Sequence, residues 1–180
     1  MLGVDKVVIV INGAGGCGKD TLVKYVGDYY SIRNESAIDP FREVAKALGY
    51  DGGKTDKDRK FLSDLKAISI EYNDYPTTYL LERVQGFLNW GLSDILFVHI
   101  REPKEIQKFV DRLTECDVDE YGVKVVTLLV RRDAVLHEYG NPSDDDVENY
   151  DYDYVFDNNG ALENTRCEFL ELINEILKDK

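Results

Sequence analysis

Residues 7–21 read Val7-Val8-Ile9-Val10-Ile11-Asn12-Gly13-Ala14-Gly15-Gly16-Cys17-Gly18-Lys19-Asp20-Thr21, and the reading of this stretch decides the fold. Five consecutive apolar residues suit a strand buried on both faces. The Leu22, Val23, Val26, Tyr30 spacing that follows suits an amphipathic helix packed back on that strand. Between the two, glycines let successive backbone N–H groups turn inward toward an anion, and the start of the helix adds its partial positive end. Lys19 supplies a mobile charge for outer phosphates. A glycine turn that binds nothing is the bland alternative, and the strand before it and helix after it weigh against that. The candidate nucleotide-binding residues are therefore Gly13, Ala14, Gly15, Gly16, Cys17, Gly18, Lys19, Asp20 and Thr21. Cys17 has no base partner visible in the sequence and reads as a small loop-filling residue.

Gly13 to Lys19 matches the spacing G-x-x-x-x-G-K, but Asp20 stands where many such loops carry Ser or Thr, and Thr21 follows one place later. The Gly18-Lys19-Asp20-Thr21 ending resembles the adenylate kinase style of loop, and in particular the deoxynucleoside monophosphate kinases. The resemblance implies a three-layer α/β/α P-loop nucleoside-triphosphate-binding fold with a five-stranded parallel sheet ordered 2-3-1-4-5. It also implies ATP and Mg2+ as cofactors, with the metal shell at Asp20 or Thr21, a helical acceptor flap over about 40–92 and a short lid over about 131–150.

At 180 residues with 43% hydrophobic content, the chain can bury one substantial core but hardly two, so a single domain over 1–180 is expected. Cysteines at 17, 116 and 167 make an odd count with no C-x-x-C pair, which suits a reducing cytoplasm. No window approaches the ~18 apolar residues of a membrane span. The formal charge of −13 is uneven: residues 1–90 carry 12 basic and 13 acidic side chains, whereas 91–180 carry 10 and 22. Such a field argues against a nucleic-acid partner, which needs a continuous basic surface. A phosphorylated small molecule can still be held by a few focused cations. Oligomeric state is not legible.

Glu35 to Asp39 reads as a second strand, with Pro40 in the first turn of the next helix and Phe41-Arg42 at the strand's carboxyl end, the edge where open parallel sheets bind ligands. Asp39-Pro40-Phe41-Arg42 resembles the acceptor-holding segment of the same kinases. Alternatively, Asp39 is only an N-cap and Arg42 a solvated residue. Lys54, Lys57, Arg59, Lys60 and Lys66 form the densest basic cluster, from which Lys54 and Arg59 loosely fit the family's acceptor pattern, although a solvated helix face explains each as well. Phe61, Leu65, Ile68 and Tyr72 fall on one face of a helix, and Leu80, Leu81, Val84, Phe87 and Leu88 mark another after Pro76.

Residues 94–100 read as a buried strand that empties into Arg101-Glu102-Pro103. Kinases of this kind usually place an aspartate at this strand end. Here His99 and Arg101 stand there, with Glu102 and Glu105 the nearest carboxylates, and an imidazole is a poor magnesium ligand. On an otherwise apolar strand, His99 reads as a hydrogen-bonded structural residue. Residues 123–130 form another core strand ending in Arg131-Arg132, the position where small kinases hold the transferring phosphoryl group. Residues 133–157 carry nine carboxylates and no Lys or Arg, mostly solvated surface, with His137 exposed. A last strand over 152–157 stops at Asn158-Asn159-Gly160, which resembles the adenine-facing loop of the same family, though turn chemistry explains it as well. A terminal helix starting near Leu162 follows.

The expected chemistry is transfer of the γ-phosphoryl group of ATP to a nucleoside or deoxynucleoside monophosphate. Lys19, Arg101, Arg131 and Arg132 would be the catalytic residues, Asp39, Arg42, Lys54 and Arg59 would bind the acceptor, and Asn158 would join the loop at the cofactor. A kinase of another phosphorylated acceptor, such as phosphomevalonate or the coenzyme A precursor, shares every donor feature, and a catalytically weak nucleotide sensor is the third reading. A GTPase is disfavoured because no Asn-Lys-x-Asp motif exists.

Overall fold

Strand β1 (Val7–Asn12) is buried along its whole length, and each of its neighbours is another apolar strand. In the computed structural model, which describes residues 6–53, 55–90, 92–115, 123–135 and 146–178, β1 pairs in parallel with β3 (Ile95–His99) on one side and β4 (Lys124–Arg131) on the other. β2 (Ile32–Ser36) and β5 (Tyr154–Asp157) form the edges, so the order is β2-β3-β1-β4-β5 and every pair is parallel. This is the expected order. The inner strands β1, β3 and β4 are largely apolar because they are covered on both faces and need no polar alternation.

Alternate residues of each strand feed two cores. On one face Ile9, Ile11, Phe97, Leu128 and Val130 meet Leu22, Val23 and Val26 of α1 (Lys19–Gly27) and Phe169, Ile173 and Ile176 of α6 (Leu162–Lys178). On the other face Val8, Val10, Leu96 and Val98 meet Leu80, Val84 and Phe87 of α4 (Tyr75–Trp90) and Ile106, Phe109 and Leu113 of α5 (Pro103–Glu115). The three layers follow from this pleat.

Two more helices lie between β2 and α4. α2 (Asp39–Ala47) opens with Pro40 in its first turn, where the missing N–H costs nothing. α3 (Asp56–Asn73) opens on a capping box, in which Thr55 Oγ1 accepts from the Asp58 N–H at 3.3 Å and Asp58 Oδ2 accepts from the Thr55 N–H at 2.9 Å. It ends at Asp74, whose left-handed backbone (φ 52°) turns the chain into α4.

Three expectations need correction. The second strand spans Ile32–Ser36 rather than 35–39, so Asp39 and Phe41-Arg42 belong to α2 and not to a strand end. The packed face of α3 is Leu62 and Lys66, whereas Ile68 (65% exposed) and Tyr72 (85% exposed) point to solvent. The last strand begins at Tyr154, not 152, because Tyr152 is recruited to the site below. Lys54, Cys116, His137 and half of the expected lid, residues 136–145, lie outside the described residues.

Phe97 sits at 0% exposure in the centre of the sheet. Phe97→Ala should lower unfolding stability by ~3–5 kcal/mol, read from urea denaturation with an unchanged m-value.

Candidate functional site

A parallel sheet sends every strand's carboxyl end to the same edge. Here that edge runs Ser36, His99, Asn12, Arg131 and Asp157 across the five strands. Every candidate segment in the described chain except Arg59 follows directly from it: α2 with Asp39 and Arg42 after β2, Arg101 after β3, the glycine loop 13–18 after β1, Arg132 after β4 and Asn158 after β5.

The loop's shape depends on glycine at two positions in particular. Gly13 has φ 145°, and a Cβ there would run into the Val130 carbonyl. Gly18 has φ 99°, and a Cβ there would run into Asn158 Nδ2. Gly18 is also the residue before α1, so its conformation aims the first free N–H groups of that helix into the loop. Cys17 is 1% exposed and packs within the apolar core, as a loop-filling residue should.

Lys19 Nζ folds over the loop. It donates to the Gly13 carbonyl and to the Ala14 carbonyl at 3.2 Å, and lies 3.6 Å from Cys17 Sγ. Burial holds its pKa below the usual lysine value, with the Cys17 sulfur acting the other way and Arg101 adding to the depression. An anion entering the loop would reverse that pressure.

Asn12 is a residue that sequence reasoning passed over. It is 0% exposed and all of its polar atoms are engaged: Nδ2 donates to the Arg101 carbonyl at 2.8 Å and to Tyr152 Oη at 2.7 Å, while Oδ1 accepts from the Gly13 N–H at 2.8 Å. Tyr152 in turn donates to the Val147 carbonyl at 2.6 Å, and burial pushes its phenol up to about 12. One amide thus ties the loop, the end of β3 and the 147–152 segment together. A polar residue closing a fully apolar strand was the available signal.

Asn158 reaches the loop from the other side. Its Nδ2 donates to the Cys17 carbonyl at 2.7 Å, and its N–H donates to the Arg131 carbonyl at 2.8 Å. Arg131 Nε stands 3.5 Å from Glu148 Oε2, whereas Arg132 is exposed. On the β2 side, Asp39 is not an N-cap: its Oδ2 accepts from the Ser36 N–H at 2.9 Å, and Oδ1 lies 3.4 Å from Arg42 Nη1. Asp20 and Thr21 occupy the first turn of α1, both exposed. Arg59 is exposed in the first turn of α3.

His99 bonds through Nε2 to Asn34 Oδ1 at 2.7 Å, joining β3 to the edge strand. Its pKa is lowered to about 4, first by burial and then by the positive fields of Lys19, Arg101 and Arg42, which Asp20 partly offsets. These groups therefore share one electrostatic neighbourhood. Of the carboxylates after β3, Glu102 is held by Lys66 and Glu105 by Lys108 at 2.7 Å. Among the described residues no cluster of three His, Cys, Asp or Glu side chains could hold a metal ion.

The fold itself has known counterparts. APE1195 superposes with a TM-score of 0.53 at 12% identity, over 98% of this chain and 99% of that one. A sugar kinase from Janibacter sp. HTCC2649 superposes with a TM-score of 0.53 at 16% identity, over 94% and 95%. The chain shares the fold of a kinase. At these identities the likeness is one of architecture. No family model and no curated protein matches the sequence. Among the described residues no helix is long and apolar enough to cross a membrane.

The depressed histidine makes a prediction with a definite sign. Its folded pKa of about 4 lies below the ordinary histidine value of 6.5, so the unfolded chain takes up the proton first. The His99 contribution to stability should be complete above about pH 6.5 and should decline as pH falls toward 4. His99→Gln, compared with wild type by urea midpoints across this range, should flatten that part of the profile.

Proposed function

We propose that the chain transfers the γ-phosphoryl group of ATP to the phosphate of a nucleoside or deoxynucleoside monophosphate. The observation that carries this reading is the gathering at one sheet edge of a glycine loop with a half-buried lysine and of separate cations, Arg42 and Arg101, in the same electrostatic neighbourhood. Phosphoryl transfer calls for little covalent chemistry from the protein. It needs the donor and acceptor held in line and their charge neutralised, and the cations gathered at this edge support that reading.

The residues present fit ATP. The loop has positive-φ glycines where side chains would clash, and Lys19 Nζ already sits on loop carbonyls that it can leave for phosphate oxygens. They also fit magnesium in its usual sparse form, one carboxylate and a hydroxyl beside substrate phosphates, at Asp20 and Thr21. When bound, the metal supplies charge neutralisation across the donor phosphates. The chain's own residues do the rest. Lys19 and the loop amides orient the donor, Arg42, held by Asp39, faces the acceptor phosphate, and Arg101, with Arg131 across the edge, spreads charge over the moving oxygens. Asn158 holds the loop by its Cys17 carbonyl.

The acceptor is read as a phosphate-bearing nucleoside because a neutral alcohol would not require Arg42. The segment about 40–92 then acts as the acceptor flap and 131–150 as the lid. A second reading, a nucleotide sensor with weak catalysis, is favoured by His99, a neutral imidazole where kinases of the resembled type carry an aspartate. ADP release with magnesium ATP against a panel of ribo- and deoxyribonucleoside monophosphates separates the two: turnover supports the kinase, and tight ATP binding with no ADP above background supports the sensor.

Lys19→Ala should keep a native far-UV spectrum while turnover falls on the order of a hundredfold or more, the scale for losing one preorganised charge. Unchanged turnover would remove the phosphate-loop assignment. Arg42→Ala should raise the acceptor KM and lower kcat/KM by the equivalent of ~1.5–3 kcal/mol, with the ATP KM nearly constant. Steady-state kinetics with each substrate varied in turn reads both.

A further inference from the structure

α3 is long, yet it buries little. Of its 18 residues only Leu62 and Lys66 are buried, and its apolar Ile68 and Tyr72 face solvent. Lys66 is 8% exposed and Nζ reaches both carboxylate oxygens of Glu102, at 2.5 and 2.6 Å. This helix packs against α2 and α4, and the Lys66–Glu102 pair adds a directional link from it to the start of α5.

The far end of the link is rigid. Glu102 opens α5, its carbonyl accepting from the Glu105 N–H at 2.9 Å and the Ile106 N–H at 3.0 Å. The preceding residue is Arg101, whose carbonyl is fixed by Asn12. The pair therefore joins α3, with Arg59 in its first turn, to the strand end that carries Arg101. A small pocket lined by Lys66, Glu102, Ile70, Thr77 and Leu80 lies beside it.

We infer that Lys66 and Glu102 are positioning residues: the ion pair sets the distance between the cations of α3 and Arg101, and so the geometry in which a phosphorylated acceptor is held. This rests on the phosphotransfer reading above. A buried ion pair adds little net stability over an apolar pair of similar size, because desolvating both charges offsets their attraction. Its distinctive contribution is direction. A methionine–leucine contact could replace the stability but would let α3 slide.

The test uses Lys66→Met with Glu102→Leu in one chain, which leaves no buried charge unpaired. Thermal unfolding and ADP affinity should stay near wild type. The acceptor KM, measured with magnesium ATP and whichever common nucleoside monophosphate wild type turns over fastest, should rise on the order of tenfold or more. An acceptor KM equal to that of wild type in the folded double variant would overturn the inference. Should wild type turn over no monophosphate, the reading above fails while this inference remains testable by hydrogen exchange. Faster exchange of α3 amides in the double variant, with β1 and β3 unchanged, would support the link, and unchanged α3 exchange would overturn it.

Discussion

Parallel pairing of β1 on both of its sides is the constraint from which the rest follows. Val7 to Ile11 are at most 1% exposed and the ladders to β3 and β4 use their backbone groups. A strand so placed has no polar group to offer until its carboxyl end. There Asn12 closes the apolar run, and the loop that follows has N–H groups which the ladder does not claim. The parallel connections lie on the two faces, so five chain segments leave the sheet at one edge and their side chains are brought together without any being near in sequence. The site is a product of topology first and of residue choice second.

The parts of this architecture legible in the sequence were those in which burial is apolar and two-sided. β1, β3 and β4 read as continuous hydrophobic runs because they are the inner strands of the sheet. β2 did not, since an edge strand with one neighbour and half-exposed residues, Ile32-Arg33-Asn34-Glu35-Ser36, carries no such pattern. The face of α3 was misread for a related reason. Periodicity detects apolar stripes, and this helix is held by a charge pair whose lysine looks like a solvated residue until Glu102 is placed beside it. The order strand, glycine loop, helix over residues 7–27 was readable from the apolar run and the glycines that break it. Asn12 was not, because an amide before glycines reads as turn chemistry rather than as a buried junction. The contact of Asn158 with the Cys17 carbonyl was not legible either, because it joins residues 141 positions apart in sequence.

The electrostatics of the edge contrast with those of the whole. The chain carries −13, but exposed carboxylates more than about 8–10 Å away act weakly through solvent. What governs the site are the few groups close to it. Asp39 lies by Arg42, Glu148 by Arg131, and Asp20 within the field of Lys19 and His99. These acids temper the cations; the depression of Lys19 and His99 comes first from burial, with Arg101 adding to it in both cases.

His99 then has a physical role that an aspartate could not fill. A carboxylate at that strand end, amid Lys19, Arg101 and Arg42, would pair with one of them and lower the positive potential facing an incoming anion. A neutral imidazole, bonded sideways to Asn34, fills the same place without consuming a cation. Its low pKa keeps it neutral at physiological pH, so it adds no further repulsion among the three positive groups either. On the phosphotransfer reading, the cost is a lost magnesium anchor. The remaining carboxylate near the loop, Asp20, stands where the first turn of α1 can present it to the metal together with Thr21. On that same reading Asp20 and Thr21, at the start of α1, are the residues that would hold the metal in place of a carboxylate at the end of β3.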